Sequence, residues 1–154
     1  MDTDDTLILE SFLPYRLSVL SNRVSSTIAA LYADRFSLTI PEWRVIAVLG
    51  RFPDLSAAEL VQRTEMDKVA ISRAVSRLLK TGRIRRRVFP DDRRRSLLEL
   101  SKAGQKVYQQ IVPLARSYEQ GLLSALSQRQ KNTLDSLLNT LLARSLEMKE
   151  IEPR

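Results

Sequence analysis

The sequence predicts a mainly α-helical fold with one small β-hairpin. Two observations favour helices. The 154 residues include only four glycines and six prolines, and apolar residues recur at helical spacing behind clear helix-start signals. A third observation favours the hairpin, because one basic segment switches to partly alternating apolar positions after a Pro-Asp-Asp sequence. At this length we expect a single domain over residues 1–154.

The first half of the chain is expected to form one long helix and three shorter ones. These helices are predicted near residues 7–35, 41–50, 56–63 and 67–80. Thr39 and Ser56 each precede a glutamate three residues on, which is the pattern of a capping box. Asp67 is a further candidate N-cap, and Gly82 has the position of a left-handed helix stop.

The second half is expected to contain the hairpin and two long helices. The predicted elements are strands near 83–88 and 96–100, a turn over 89–95, and helices near 102–124 and 128–149. Ser101 is a candidate cap, and Ser127 with Gln130 forms a third capping box. Pro113 removes one backbone hydrogen bond, so we expect a bend in the first of these helices rather than a break.

Positive charge is concentrated in one segment. The chain has a net charge of +7, yet residues 68–95 alone contain 11 Lys and Arg against Asp91 and Asp92, which leaves −2 for the other residues. Such concentration is typical of a nucleic-acid-binding surface. A solvated basic face that only improves solubility is the alternative.

The composition argues against an enzyme. With no cysteine and no histidine, the chain lacks thiolate ligands and every nucleophile system that depends on histidine. No acidic pair has convincing placement for general acid–base chemistry, and we expect neither a metal nor a cofactor. No apolar run reaches about 18 residues, and the N-terminal MDTDDT is acidic where a signal peptide is basic. A cytoplasmic protein is the simplest interpretation.

The helix near 67–80 has two contrasting faces and follows the preceding short helix after the turn Thr64-Glu65-Met66, as in a helix-turn-helix. The side chains expected in the core are Ile71, Ala74, Val75 and Leu78. The opposite face carries Val69, Ser72, Arg73, Ser76 and Lys80, with Arg77 at its flank. Small hydroxyls between long cations suit a helix in a DNA major groove, where arginine offers paired donors to guanine. An ordinary amphipathic surface helix would show the same division.

The predicted turn, FPDDRRR at 89–95, places three arginines behind two aspartates. A narrow A·T-rich minor groove attracts arginine, so we expect one arginine of the turn to enter the groove and its neighbours to hold phosphates. Asp92 lies two residues before Arg94 and is expected to hold the Arg94 guanidinium by a charge-assisted pair. A type I turn that uses Pro and Asp for geometry alone is the alternative.

These stretches together resemble the MarR family of winged-helix transcriptional regulators. The resemblance is carried by TIPEWRVIAVL (39–49), DKVAISRAVSRLLKTGRIRR (67–86) and DRRRSLLELSKAG (92–104). It implies a homodimer that binds a pseudo-palindromic operator in double-stranded DNA, usually as a repressor. It also implies that a small aromatic or phenolic acid could release the DNA. The lack of cysteine and histidine excludes the peroxide-sensing mechanism and argues against a zinc-responsive one.

The resemblance also implies site residues, with the wing arginine at Arg94 and its orienting aspartate at Asp92. The expected DNA-binding residues are Lys68, Ser72, Arg73, Ser76, Arg77, Arg86, Asp92, Arg93, Arg94 and Arg95. The residues on the elements that would line an effector pocket are Tyr15, Arg16, Ser18, Asn22, Trp43 and Arg44. Trp43 as a plain core residue and Arg16 as a dimer-interface ion-pair partner remain equally compatible with the sequence.

The predicted organisation is a winged helix-turn-helix DNA-binding region over 36–100 and a helical dimerisation region over 7–35 and 101–150. Leucine-rich stripes at helical spacing in the first and last helices support a dimer, although a monomeric bundle that folds on itself is the alternative. Two other functions stay open: an architectural or non-specific nucleic-acid binder without a ligand, and a basic protein–protein module.

Overall fold

The computed structural model describes residues 6–149, so the acidic N-terminus and residues 150–154 lie outside the described part. The helices are α1 (Leu13–Phe36), α2 (Ile40–Arg51), α3 (Ala57–Thr64), α4 (Lys68–Lys80), α5 (Lys102–Leu123) and α6 (Gln128–Lys149), and the strands are β1 (Ile84–Phe89) and β2 (Asp92–Leu100). This order confirms the predicted mainly helical fold with one hairpin. The described residues form two compact units, one up to Leu114 and one from Ala115 onward.

The helix starts follow the capping signals in the sequence. Thr39 Oγ1 accepts the N–H of Glu42 at 3.4 Å while Glu42 Oε2 accepts the N–H of Thr39 at 3.2 Å. Ser56 and Glu59 exchange the same two bonds at 3.2 and 2.7 Å. Asp67 Oδ1 accepts the N–H of Ala70 at 3.0 Å. Each cap satisfies backbone donors that the first helical turn leaves without partners.

Helix α1 begins at Leu13, later than the residue near 7 that apolar spacing suggested. Phe12 is extended, and Pro14 occupies the first turn, where its missing N–H leaves no hydrogen bond unmade. The preceding residues Leu9–Ser11 form only a 3-10 turn. The helix ends at Ser37, whose left-handed backbone (φ 52°) stops it.

The core of the first unit lies between α2, α3, α4 and the hairpin. The residues buried there include Val45, Ile46, Leu49, Leu60, Ile71, Ala74, Val75, Leu78, Ile84 and Leu98. The four side chains predicted to be buried in α4 are all among them. Their burial fixes the rotation of α4 about its axis and turns its opposite face to solvent.

The hairpin turn is tighter than predicted. Strands β1 and β2 are antiparallel and Phe89 pairs with Asp92, so Pro90 and Asp91 alone connect them. The predicted turn over 89–95 is therefore wrong, and Arg93, Arg94 and Arg95 belong to β2. Three consecutive arginines look like a loop in the sequence. They lie in β2 opposite the register shift between Val88 and Phe89, where an irregular part of the strand accommodates them.

A junction of small residues joins α4, the hairpin and α5. Gly82 has a φ of +72°, which ends α4 in the left-handed region as predicted. The Ser101 hydroxyl donates to the Gly82 carbonyl at 2.6 Å and accepts the N–H of Gly104 at 3.1 Å, so Ser101 caps α5. A Cβ on Gly104 would overlap the carbonyl oxygen of Arg83. This close backbone approach requires glycine.

The second unit contains the end of α5 and the whole of α6. Helix α5 runs without interruption through Pro113, and α6 begins at the predicted capping box, where Ser127 and Gln130 exchange bonds of 2.8 and 3.2 Å. Its apolar side chains are exposed in the single chain: Leu134, Leu137, Leu138, Leu141, Leu142 and Leu146. No helix within residues 6–149 is long and apolar enough to cross a membrane.

We expect Gly104→Ala to lower the free energy of unfolding by about 2–3 kcal/mol, because the new methyl group forces the Arg83 carbonyl away. Gly121→Ala is the matched control in the same helix, since nothing lies within 4 Å of its Cβ. It should stabilise by about 0.5–1 kcal/mol. Denaturant unfolding of both variants at one protomer concentration measures the difference, and equal effects would contradict the packing described at Gly104.

Candidate nucleic-acid interface

One face of α4 is a continuous polar and basic surface. Its exposed side chains are Lys68, Val69, Ser72, Arg73, Ser76, Arg77 and Lys80. The Asp67 cap fixes where α4 begins, and the left-handed backbone of Glu65 (φ 51°) ends α3 and turns the chain into α4. The two short helices thus form the predicted helix-turn-helix.

Arg77 has a partner within the protein. Its Nε lies 3.2 Å from Oε1 of Glu42, whose side chain is only 4% exposed while that of Arg77 is 55% exposed. The second carboxylate oxygen of Glu42 accepts the N–H of Thr39. A buried carboxylate requires such partners, because an unpaired charge in a low-dielectric core is strongly destabilising. Arg77 therefore ties α4 to the start of α2, a role that sequence reasoning missed.

The hairpin arginines differ in their partners. Arg85 pairs with Glu99 at 2.7 Å and Arg87 with Asp54 at 3.0 Å. Arg86 donates to the Ser96 hydroxyl at 3.2 Å. Arg95 lies over the Phe89 ring, 4.8 Å from its centroid. These contacts offset the mutual repulsion that a run of like charges would otherwise produce.

Arg94 is the exception among the hairpin arginines whose side chains the structure describes. Its guanidinium has no side-chain partner within residues 6–149 and is exposed to solvent. Arg93 lies in β2, but its side chain lies outside the described part. A free guanidinium on an exposed strand is available to an external anion.

Asp92 does not hold the guanidinium of Arg94, which corrects the prediction. Its Oδ1 instead accepts the backbone N–H of Arg94 at 3.0 Å. A short carboxylate reaches the backbone two residues on more readily than the end of a long side chain, as in an Asx turn. Asp92 therefore shapes the start of β2 and leaves the Arg94 side chain free.

Helix α4 and strand β1 meet in a cleft of about 190 Å³. It is lined by Ala57, Ala58, Val61, Lys68, Ser72, Val75, Ser76 and Arg86. Four of the predicted DNA-binding residues therefore lie together on one surface: Lys68, Ser72, Ser76 and Arg86. The burial of α4 and the register of the hairpin create this arrangement, in which Lys68 and Arg86 are exposed.

Glu59 lies at the start of α3, next to two residues that line the cleft, Ala57 and Ala58. The pKa of Glu59 is lowered, first because its carboxylate accepts the backbone N–H of Ser56, then because of the Ser56 hydroxyl. Arg63 and Arg95 contribute in the same direction. The carboxylate of α3 is therefore committed to its cap and to nearby cations. No group of three or more Asp or Glu within residues 6–149 could hold a metal ion.

The six predicted effector residues are not all brought together. Trp43 packs against the buried Tyr32, with ring centroids 5.5 Å apart, and Arg44 donates to the Ser25 hydroxyl at 3.2 Å. Burial raises the pKa of Tyr32 to about 12, and nearby Arg44 opposes this shift. Four others are exposed earlier on α1: Tyr15, Arg16, Ser18 and Asn22. Residues 15–18 lie roughly 10–15 Å along the helix axis from Ser25.

The sequence is similar to those of known proteins from one family. Residues 36–95, which contain α2, α3, α4 and most of the hairpin, match the model described as the MarR family. The HTH-type transcriptional regulator BilQ from Clostridium symbiosum is 30% identical over 96 residues, which cover 62% of this chain and 67% of that protein.

Solved structures are similar to this chain over most of its length. A MarR/EmrR family transcriptional regulator from Acinetobacter sp. ADP1 superposes with a TM-score of 0.84 at 25% identity, over 92% of this chain and 99% of that one. A mutant MarR from E. coli complexed with operator DNA has a TM-score of 0.75 at 24% identity, over 90% and 99% of the two chains. At 24% identity, the similarity to this second structure concerns the fold alone.

We expect Arg77→Ala to lower the free energy of unfolding by about 1–3 kcal/mol, because it leaves the buried Glu42 carboxylate without its cation. Adding Glu42→Gln should recover most of this loss, since an amide oxygen still accepts the Thr39 N–H. Thermal and denaturant unfolding measure both effects.

Arg73→Ala is the matched control for this prediction, because Arg73 is an exposed arginine on the same helix. It should leave stability within about 0.5 kcal/mol of the parent. Equal destabilisation by the two alanine variants would show that the contact with Glu42 does not set the stability.

Proposed function

Because the chain belongs to the MarR family of transcriptional regulators, we propose that it is a homodimeric repressor that binds a pseudo-palindromic operator in double-stranded DNA. The observation that carries the proposal is the exposed face of α4 with its cations, next to a cleft that Lys68 of α4 and Arg86 of the hairpin both line. We also propose that the protein is cytoplasmic, because a repressor acts in the compartment that holds the chromosome.

Helix α4 would enter the major groove. Arg73 is exposed, and a free guanidinium can offer two parallel donors to O6 and N7 of guanine. Ser72 and Ser76 have small side chains, so the backbone of α4 can approach the base edges. Lys68 and Arg86 border the same cleft and would hold phosphates, which position the helix without reading the sequence.

The hairpin would enter the adjacent minor groove through Arg94. It is exposed and has no side-chain partner among residues 6–149, whereas Arg95 rests on the Phe89 ring. A narrow A·T-rich groove attracts a free guanidinium more than one whose charge is already engaged. Arg93 and Arg95 would then contact the flanking phosphates, and Asp92 would act by shaping the strand that carries them.

A second copy of the chain would cover the exposed apolar side chains of α1 and α6. In α1 these include Leu13, Leu17, Leu20 and Leu31, and α6 exposes six leucines. Apolar surface of this extent on a single chain favours association. A two-fold axis would place two copies of α4 about one DNA turn apart, roughly 34 Å, which matches a pseudo-palindromic site.

We expect the protein to prefer its operator over scrambled DNA of equal length by roughly 10³-fold or more at fixed salt. The operator is first selected from random duplexes, and binding is then measured by fluorescence anisotropy. Affinity for both duplexes should fall steeply with salt through counterion release.

A ratio near one with a steep salt dependence would favour an architectural, non-specific binder instead. Weak binding to both duplexes with little salt dependence would favour a protein–protein module. Size measurement by light scattering of the unliganded protein tests the dimer independently, and a monomer would contradict the proposal.

The proposal extends to release from DNA by a small aromatic or phenolic acid. Tyr15, Arg16, Ser18, Asn22, Trp43 and Arg44 are the proposed ligand residues. Trp43 and Arg44 together offer a ring to stack on and a cation for a carboxylate, next to the buried Tyr32. A ligand held there would change the contact between α1 and α2. Because Arg77 anchors α4 to α2, that change would be passed on to α4.

We expect Arg16→Ala to abolish release of the operator by the acid and to leave operator affinity within about twofold. The acid is first identified by screening hydroxybenzoates in a thermal-shift assay, because a ligand of the folded state raises its melting temperature. Arg44→Gln is compared in parallel, since Arg44 contacts Ser25. An unchanged response in Arg16→Ala with a lost response in Arg44→Gln would move the site away from the start of α1.

A further inference from the structure

Asp54, in the connection between α2 and α3, has a strained backbone and a half-satisfied side chain. Its φ is +64°, in the left-handed region that non-glycine residues seldom adopt. One carboxylate oxygen lies 3.0 Å from Nη2 of Arg87, and the other is buried with no hydrogen-bond partner within residues 6–149. Strain that persists in this way points to a constraint imposed by the surrounding structure.

The contact of Asp54 continues to the end of the hairpin through one aromatic ring. The Arg87 guanidinium lies 5.4 Å from the centroid of the Phe89 ring, and the Arg95 guanidinium lies 4.8 Å from the same centroid. An aromatic ring attracts a guanidinium over its face, so Phe89 holds a cation from each strand. We call Asp54, Arg87, Phe89 and Arg95 the Phe89 stack.

The outer part of the hairpin is largely exposed. Leu55 and Leu98 exchange backbone hydrogen bonds of 3.3 and 2.8 Å, which anchor the middle of β2 next to Asp54. Beyond this point Val88 is 54% exposed, and the register shifts between Val88 and Phe89. A two-stranded ribbon of this kind is marginally ordered by itself. The Phe89 stack links its outer end to the α2–α3 connection.

The stack and the cleft beside α4 involve opposite faces of the hairpin. Side chains alternate along a paired strand, so Arg87 and Phe89 lie on one face of β1, and Arg86, which lines the cleft, lies on the other. Next to the register shift in β2, Arg95 lies over the Phe89 ring and so joins the face of the stack. The stack therefore holds the hairpin on the face away from the cleft and fixes the strand that carries Arg94.

We propose that Phe89 is a positioning residue for DNA binding: through the Phe89 stack it fixes the hairpin against the helix-turn-helix, so that Arg94 meets its groove when α4 is seated. This inference rests on the proposed function. Pre-ordering of this kind raises affinity because the ordering cost of the hairpin is met before DNA arrives. The strained Asp54 is its fixed end.

The first test replaces the ring. Phe89→Leu removes the π face and should weaken binding to the selected operator about five- to tenfold, as two lost cation–π contacts imply. Phe89→Tyr keeps the face and should stay within about twofold of the parent. Anisotropy titrations measure both. Equal losses in the two variants, or none in Phe89→Leu, would overturn the proposal.

The second test asks whether Phe89 acts through Arg94. We expect Phe89→Leu to have almost no further effect in an Arg94→Ala background, because the guanidinium that the stack is proposed to position in the groove is then absent. Losses that simply add, or an Arg94→Ala variant that binds like the parent, would overturn the proposal. A purely structural role of Phe89 would give additive losses together with a lowered melting temperature.

The third test removes one hairpin charge at two positions. Arg87→Gln breaks the stack at Asp54, whereas Arg85→Gln removes an arginine whose partner, Glu99, lies within the hairpin itself. Both should lose the same small affinity for scrambled DNA, and only Arg87→Gln should lose a further three- to fivefold on the operator. Equal losses of operator affinity in the two variants would show that Arg87 acts only through its charge, as Arg85 does, and not through the Phe89 stack. If the parent protein does not prefer the operator at all, the proposed function fails rather than this inference.

Discussion

The burial of one face of α4 is the constraint on which the rest of the structure depends. Ile71, Ala74, Val75 and Leu78 enter the core, and this fixes the rotation of the helix. Because an α-helix turns about 100° per residue, the serines and arginines between them must then face solvent together. The hairpin packs on the same core through Ile84 and Leu98, and its Arg86 lines the cleft next to α4.

A surface with this much positive charge must manage its own repulsion. Most hairpin arginines do so through a local partner: a carboxylate, a hydroxyl or an aromatic ring. Each contact also fixes a rotamer, which lowers the entropy that DNA binding has to remove. Arg94 stays free within the described residues, and its backbone is held by Asp92. Arg94 thus offers a charge without a side-chain partner among the described residues, whereas the paired arginines hold the hairpin in place.

Two ion pairs link α4 and the hairpin to other elements of the first unit. Arg77 joins α4 to the buried Glu42 at the start of α2, and Arg87 joins the hairpin to Asp54 at its end. Both arginines belong to the basic segment that the sequence singles out for DNA. Their partners show that arginines of this basic segment also hold its elements against the rest of the first unit.

The sequence by itself determined the helix starts from α2 onward, the buried face of α4 and the concentration of positive charge, because caps and helical periodicity act between residues three or four positions apart. It did not determine the length of the hairpin turn, because Phe89 pairs with Asp92 and the three arginines that follow belong to β2. Only the tertiary structure decided which arginines are engaged. Glu42 and Asp54 lie more than 30 residues from the arginines they bind, and only packing of the core brings such groups together.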